Sequence, residues 1–165
     1  MHDRSLTMLI VEDSSTIRFA YKRLLDKEYA LTFAEDPLSA LRQIVKIRPD
    51  VILLDINLKD GARQAENLKP MKKMDGLDIC AAVKRSPFKE TPVIMLTSRD
   101  GLVDKVRGRM AHADRYLTKP IDPDMLRSTL QDLLGGMAAV RRLKSNAYSA
   151  SPYPELDVTS TSQGI

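Results

Sequence analysis

The chain has 165 residues, 43% hydrophobic and 29% charged, with a formal net charge of +4, one cysteine and no tryptophan. This length fits one domain with room for a tail, and such a domain buries roughly two-thirds of its unfolded surface without staples. A single cysteine excludes an internal disulfide framework and any multi-cysteine metal cluster, and apolar runs such as Met8–Val11 and Val51–Leu54 fall far short of the about 20 residues a membrane helix needs. The N-terminal charges precede no apolar signal core, so a cytoplasmic protein is expected. Basic residues concentrate at 69–73, 105–109 and 141–144 without interleaved aromatics, so charge gives no reason to expect contact with DNA.

Met8–Val11 is a short apolar run without alternation, the pattern of a strand buried on both faces, and it ends in Glu12-Asp13. Ser14 or Ser15 can cap a helix whose apolar positions are Ile17, Ala20, Tyr21, Leu24 and Leu25. A second strand is predicted over Ala30–Ala34. Asp36-Pro37 then opens a helix with Leu38, Leu41, Ile44 and Val45 inward. Val51–Leu54 is the strongest strand signal and ends at Asp55. Residues 56–75 break the rhythm; Ala62–Lys69 has helix-forming composition. A helix follows over Gly76–Ser86 with Leu77, Cys80 and Ala81 inward. The next strand, Val93–Leu96, ends at Thr97. Leu102, Val103, Val106 and Met110 mark another helix, and Arg115–Thr118 a last strand ending at Lys119-Pro120. Asp122-Pro123 repeats the aspartate-proline start. Leu126, Leu130, Leu133 and Leu134 form the final stripe, which Gly135-Gly136 can stop, with residues 137–144 as an extension of the helix or its frayed end. From about Ser145 the chain is rich in Ser, Thr and Pro with no periodic apolar face, which reads as a flexible tail.

Five β-α repeats with apolar-run strands imply a parallel sheet covered on both faces. A (βα)8 barrel needs about 250 residues, so the expectation is a doubly wound five-stranded sheet of the flavodoxin-like type, (βα)5, in three α/β/α layers. Ligands of such sheets bind outside the carboxyl ends of the strands. There stand Glu12, Asp13, Asp55, Thr97 and Lys119. Singly, each has a plain explanation as a cap, turn or loop residue. Together, three carboxylates at one edge repel unless a cation neutralises them. Oxygen ligands without His or Cys select a hard cation, Mg2+. The set then reads as a phosphoryl-transfer site: Asp55 is the nucleophile on phosphorus, Asp13 and Asp55 hold Mg2+ with Glu12 acting through water, Lys119 supplies a second positive charge and Thr97 a hydroxyl.

At this point the chain resembles the response-regulator receiver domains, the CheY-like family. The resemblance rests on LIVEDSSTIR at 9–18, DVILLDIN at 50–57, MDGLDIC at 74–80, PVIMLTS at 92–98 and YLTKPID at 116–122, and covers about residues 7–135. It implies that Asp55 is the phosphoacceptor, that Glu12 and Asp13 hold Mg2+, and that Asn57 lends a backbone carbonyl to the metal. It further implies that Thr97 and Tyr116 are the switch hydroxyl and switch aromatic, that Lys119 is the family's lysine, and that Lys119-Pro120 is a cis peptide. The stretch 104–120 is also similar to receivers of twitching-motility and phototaxis systems. The implied function is to accept a phosphoryl group from a sensor histidine kinase or phosphotransfer protein and to switch binding to a downstream target. That is signalling rather than enzyme catalysis, with homodimerisation left open.

One departure from the family stands out. Asp75 lies 20 positions after Asp55, so about 13 residues are extra, an insertion at about 58–74 that is either surface elaboration or a partner contact. The expected organisation is a receiver domain over 1–143 and a flexible tail over 144–165. Three other functions compete with this reading. An aspartyl-nucleophile phosphatase or phosphotransferase of the dehalogenase type needs an acid/base aspartate two residues after the nucleophile, where this chain has Asn57. A transcription factor needs a helix-turn-helix domain after residue 135, so this chain would have to be its receiver fragment. Flavin binding lacks a hydroxyl-rich phosphate loop after the first strand.

Overall fold

The computed structural model describes residues 5–58, 74–98 and 111–149, with side chains through 136. Their elements run β1 (Leu6–Val11), α1 (Ser15–Leu25), β2 (Tyr29–Ala34), α2 (Pro37–Ile47), β3 (Val51–Asp55), α3 (Gly76–Lys84), β4 (Val93–Thr97), β5 (Arg115–Thr118) and α4 (Pro123–Ser149). The chain divides into two compact units, residues 1–129 and 130–165. The expected helix around 102–110 and most of the 58–74 insertion lie outside the described residues.

In the first unit the five strands form one parallel sheet in the order β2-β1-β3-β4-β5. This is the flavodoxin-like arrangement the strand pattern predicts, with its crevice where the order reverses beside β1. β3 and β4 are buried at every position, which is why they read as unbroken apolar runs. Side chains alternate between the two faces. Leu9, Val11, Ile52, Leu54, Val93 and Met95 pack with Ala40 and Ile44 of α2 and Leu77, Cys80 and Val83 of α3 in one cluster.

Local chemistry sets the helix starts. Asp36 caps α2 by accepting from the backbone N–H of Leu38 and Ser39, both at 3.0 Å, while the Ser39 hydroxyl accepts from the Asp36 N–H. Asp75 and Asp78 make the same reciprocal cap on α3. Ser14, of the two serines considered, caps α1. At the amino edge of the sheet Asp50 accepts from the Thr7 N–H and hydroxyl, tying β1 to β3. The Asp114 carboxylate accepts from the Val93 N–H at 2.7 Å and pairs with the Lys84 ammonium at 2.6 Å, joining α3, β4 and the start of β5.

Two sequence expectations are corrected. Leu38 and Val45 are exposed, by 54% and 63%, not inward. The buried positions of α2 are Pro37, Ala40 and Ile44, with Leu41 and Ile47 partly covered. At about 100° per residue, 38 and 45 fall roughly a quarter-turn or more off that stripe. Gly135-Gly136 does not stop the last helix, which runs to Ser149. Neither glycine takes the left-handed conformation a stop requires, and Met137-Ala138-Ala139 after them favours helix. The residues described in the second unit, 130–149, are helix throughout. No helix among the described residues is long and apolar enough to cross a membrane.

Candidate functional site

Strand register brings the site together. Val11 pairs with Leu54, Asp55 with Leu96 and Thr97 with Thr118, so the residues after the strands emerge side by side. Backbone bonds continue the ladder one step further, from Glu12 N–H to Ala34 O, Ile56 N–H to Leu96 O and Lys119 N–H to Thr97 O, at 2.8–3.0 Å. The Lys119-Pro120 peptide is cis.

Glu12, Asp13 and Asp55 each offer a carboxylate oxygen within 4.8 Å of the others, and Glu12 and Asp55 are buried. The Lys119 ammonium donates to Asp55 Oδ2 at 2.7 Å and to Glu12 Oε2 at 2.9 Å. Burial pushes the Glu12 carboxyl above its ordinary range, against the pull of the Ser14 N–H and of Lys119. For Lys119, burial alone would lower the ammonium's pKa, but hydrogen bonds and attraction from Asp55 and Glu12 together raise it, so the lysine stays charged. One ammonium among three carboxylates leaves a negative excess. The donors are all oxygen, without His or Cys. The oxygen donors of Glu12, Asp13 and Asp55 fit a hard divalent cation.

Asn57 is exposed, and its N–H donates to Asp55 Oδ1 at 3.0 Å. Gly76, at the first turn of α3, donates its N–H to Ile56 O. A Cβ there would run into the Asp55 carbonyl and stand 2.9 Å from Ile56 Cα, so only glycine lets α3 start this close to the phosphoacceptor candidate. Thr97 is 1% exposed and its hydroxyl donates to Ser98 O at 3.2 Å. Tyr116 packs against the core cluster. Its hydroxyl oxygen is buried, and burial first, then nearby Cys80 and Asp114, raises its pKa against the pull of a backbone hydrogen bond at Ala113. The seven sequence-predicted residues thus fall into two groups. Glu12, Asp13, Asp55, Asn57 and Lys119 meet at one point, while Thr97 and Tyr116 stand on the neighbouring strands β4 and β5.

Residues 8–131 match the response regulator receiver domain family. The chain belongs to that family. The receiver is 39% identical over 123 residues to Protein PilG of Pseudomonas aeruginosa, covering 73% of this chain and 82% of that protein. It is 32% identical over 139 residues to Response regulator MprA of Mycobacterium ulcerans, covering 84% of this chain. The chain spans about half the length of MprA, 51%. Among solved structures it is similar to the chemotaxis protein CheY4 of Vibrio cholerae, with 33% identity and a TM-score of 0.65 over 79% of this chain and all of that one. It is similar as well to the receiver domain of NtrX from Brucella abortus, with 27% identity and a TM-score of 0.65 over 78% of this chain and 98% of that one. The receiver is therefore a signalling domain of two-component systems.

The sequence reading missed two residues beside this site. Tyr21 was assigned only to the apolar face of α1. It is buried, and burial first, then the charges of Glu12 and Asp55, raise its phenol's pKa, so it stands within electrostatic reach of the acidic cluster. The sequence assigns Arg18 no role of its own beyond its place in the motif at 9–18. The available signal was its spacing, one helical turn beyond the cap that follows the acidic pair.

Proposed function

We propose that the receiver accepts a phosphoryl group on Asp55 with Mg2+ held by Glu12, Asp13 and Asp55, and that the charge so added moves Thr97 and Tyr116. The observation that carries this reading is the Lys119 ammonium bonded to Asp55 and Glu12 inside a three-carboxylate cluster. Bound Mg2+ would offset charge on the transferring group, with the Asn57 backbone carbonyl as a further ligand. The chain's own residues do the rest. Asp55 presents Oδ2 already bonded to Lys119, so a cation waits where the phosphoryl oxygens arrive. The Asn57 N–H holds Oδ1 and fixes the carboxylate plane. Phosphoryl transfer asks little of a protein beyond such positioning and charge.

Thr97 holds its hydroxyl on a neighbouring carbonyl at the long end of the hydrogen-bond range, a bond easily exchanged for a phosphoryl oxygen. Tyr116 is partly buried on β5, beside the strand that carries Thr97, and packs against the core cluster. Such a pair makes a two-state element that a charge on Asp55 can bias. The donor would be a sensor histidine kinase or phosphotransfer protein in the cytoplasm, and the reader a target protein that senses the β4–β5 surface. A donor has to approach from the carboxyl edge of the sheet. There an apolar groove of about 900 Å3, lined by Ile17, Ala20, Leu24, Pro120 and Ile121, opens beside Lys119.

The test is amide NMR of the receiver with beryllofluoride and Mg2+, a mimic of the phosphorylated state. Shifts at Thr97 and Tyr116 that vanish in Asp55→Asn are expected. Spectra unchanged at both residues in the wild type would contradict the reading.

A further inference from the structure

Arg18 lies on α1, one turn beyond the β1–α1 loop. Its Nη1 donates to the backbone oxygens of Glu12 at 2.8 Å and Asp13 at 3.0 Å. Its Nη2 pairs with Glu35, just after β2, at 2.8 Å. The guanidinium side chain is 17% exposed and Glu35 is 67% exposed, so the arginine is the covered partner and Glu35 its outer anchor. The plane of the guanidinium fixes the direction of all these bonds at once, which a lysine ammonium cannot do.

The two carbonyls have a particular relation to Asp13. The Glu12 carbonyl belongs to the peptide plane before the Asp13 Cα, and the Asp13 carbonyl to the plane after it. Peptide units are planar, so holding both oxygens holds both planes and with them φ and ψ of Asp13. The direction in which the Asp13 side chain leaves the backbone is then set. Glu12 is already fixed independently, by its backbone bond to Ala34 and by its carboxylate bonds to the Ser14 N–H and Lys119. Arg18 adds the corresponding constraint at Asp13.

We propose that Arg18 is a positioning residue that aims the Asp13 carboxylate into the cation site through the backbone on either side of it. The claim rests on the reading of Glu12, Asp13 and Asp55 as a Mg2+ site. It makes a prediction of unusual sign. Arg18 is a cation near a cation site, so by Coulomb's law alone its removal would tighten Mg2+ binding. A residue that orients a ligand does the opposite, and loss of such supporting contacts weakens metal affinity by about tenfold to a hundredfold.

The experiment is calorimetric titration of Mg2+ into the wild-type receiver, Arg18→Ala and Arg18→Lys, with circular dichroism confirming the fold of each. About tenfold weaker binding is expected for Arg18→Ala. Arg18→Lys, which keeps the charge but not the planar fork, is expected to recover only part of the affinity. It serves alone if Arg18→Ala does not fold. Amide shifts of Asp13 and Ser14 should move in both variants before any metal is added, a change in the two peptide planes that reports on positioning directly. Equal or tighter binding in Arg18→Ala, or wild-type affinity in Arg18→Lys, would overturn the proposal and leave the metal site standing. A wild-type receiver that takes up no Mg2+ would overturn the metal reading itself, and this proposal with it.

Discussion

At the scale of single residues, the receiver concentrates its risk in one ion cluster. The side chains of Glu12 and Asp55 are 1% and 6% exposed, and both rely on the same lysine. Removing one partner of a buried ion pair leaves uncompensated charge and typically costs about 3–5 kcal/mol. The side chain of Lys119 is 24% exposed, so solvent screening argues for the lower part of that range, about 3 kcal/mol. Urea denaturation of Lys119→Met should show that loss in the absence of divalent ions. Millimolar Mg2+ should return part of it, because the metal restores positive charge at the same carboxylates. A variant as stable as the wild type without Mg2+ would mean that the cluster is better solvated than its burial indicates. The residues of this cluster were legible in the sequence because each stands at the end of a strand, after an apolar run for the acidic residues, and parallel strands bring such positions together. Arg18 was legible only as a spacing after the cap, because its partners are backbone carbonyls and these leave no mark in residue type.

At the scale of elements, capping and close approach decide where helices begin. For the Asp36 carboxyl, slight burial raises the pKa, but the Ser39 N–H and hydroxyl and the Leu38 N–H outweigh it, and the net shift is downward. A depressed carboxyl contributes stability that is present above the unfolded value near 3.8 and is lost as pH falls through the lower folded value. Asp36→Ala should therefore cost about 1 kcal/mol near neutral pH. In thermal melts the gap between variant and wild type should close only in strong acid. A gap that stays constant to the lowest pH would assign the loss to something other than the ionised cap. Gly76 is the sharper case. Gly76→Ala sets a methyl against backbone, which cannot move aside as a side chain can, so a loss of about 3 kcal/mol by urea denaturation is expected, at the upper end for overpacking. A loss under about 1 kcal/mol would show that α3 retreats freely from Asp55. Helix starts were readable from Asp-Pro and Ser signals, and Ile44 and Leu41 lie on the covered side of α2 as expected, but Leu38 and Val45 do not. Leu38 and Val45 are large and apolar, and composition invited them inward. The smaller Pro37 and Ala40 sit on the true stripe, because a helix packed against a sheet selects angle before size. The two glycines of α4 misled for a related reason, since glycine permits a stop and does not impose one.

At the scale of the whole molecule, the sheet separates structural from chemical work. The amino edge is tied by Asp50 with Thr7 and by Asp114 with Lys84 and Val93. The carboxyl edge gathers charges that repel, and Lys119, bonded to Asp55 and Glu12, offsets part of that repulsion. This division made the fold class readable in outline, since five apolar runs in parallel leave one edge for polar residues. The insertion expected at about 58–74 is legible as a length and as helix-forming composition over Ala62–Lys69, neither of which says what it contacts. The central claim is that acidic groups from separate strands share a divalent ion so that Asp55 can carry a phosphoryl group. Its most direct test is intact-mass and peptide mapping of the receiver after incubation with a small phosphodonor, with and without Mg2+. The account predicts one hydroxylamine-sensitive phosphoryl group on Asp55, formed only with the metal and absent in Asp55→Asn. Phosphorylation that proceeds equally in chelator, or that persists after Asp55→Asn, would contradict it.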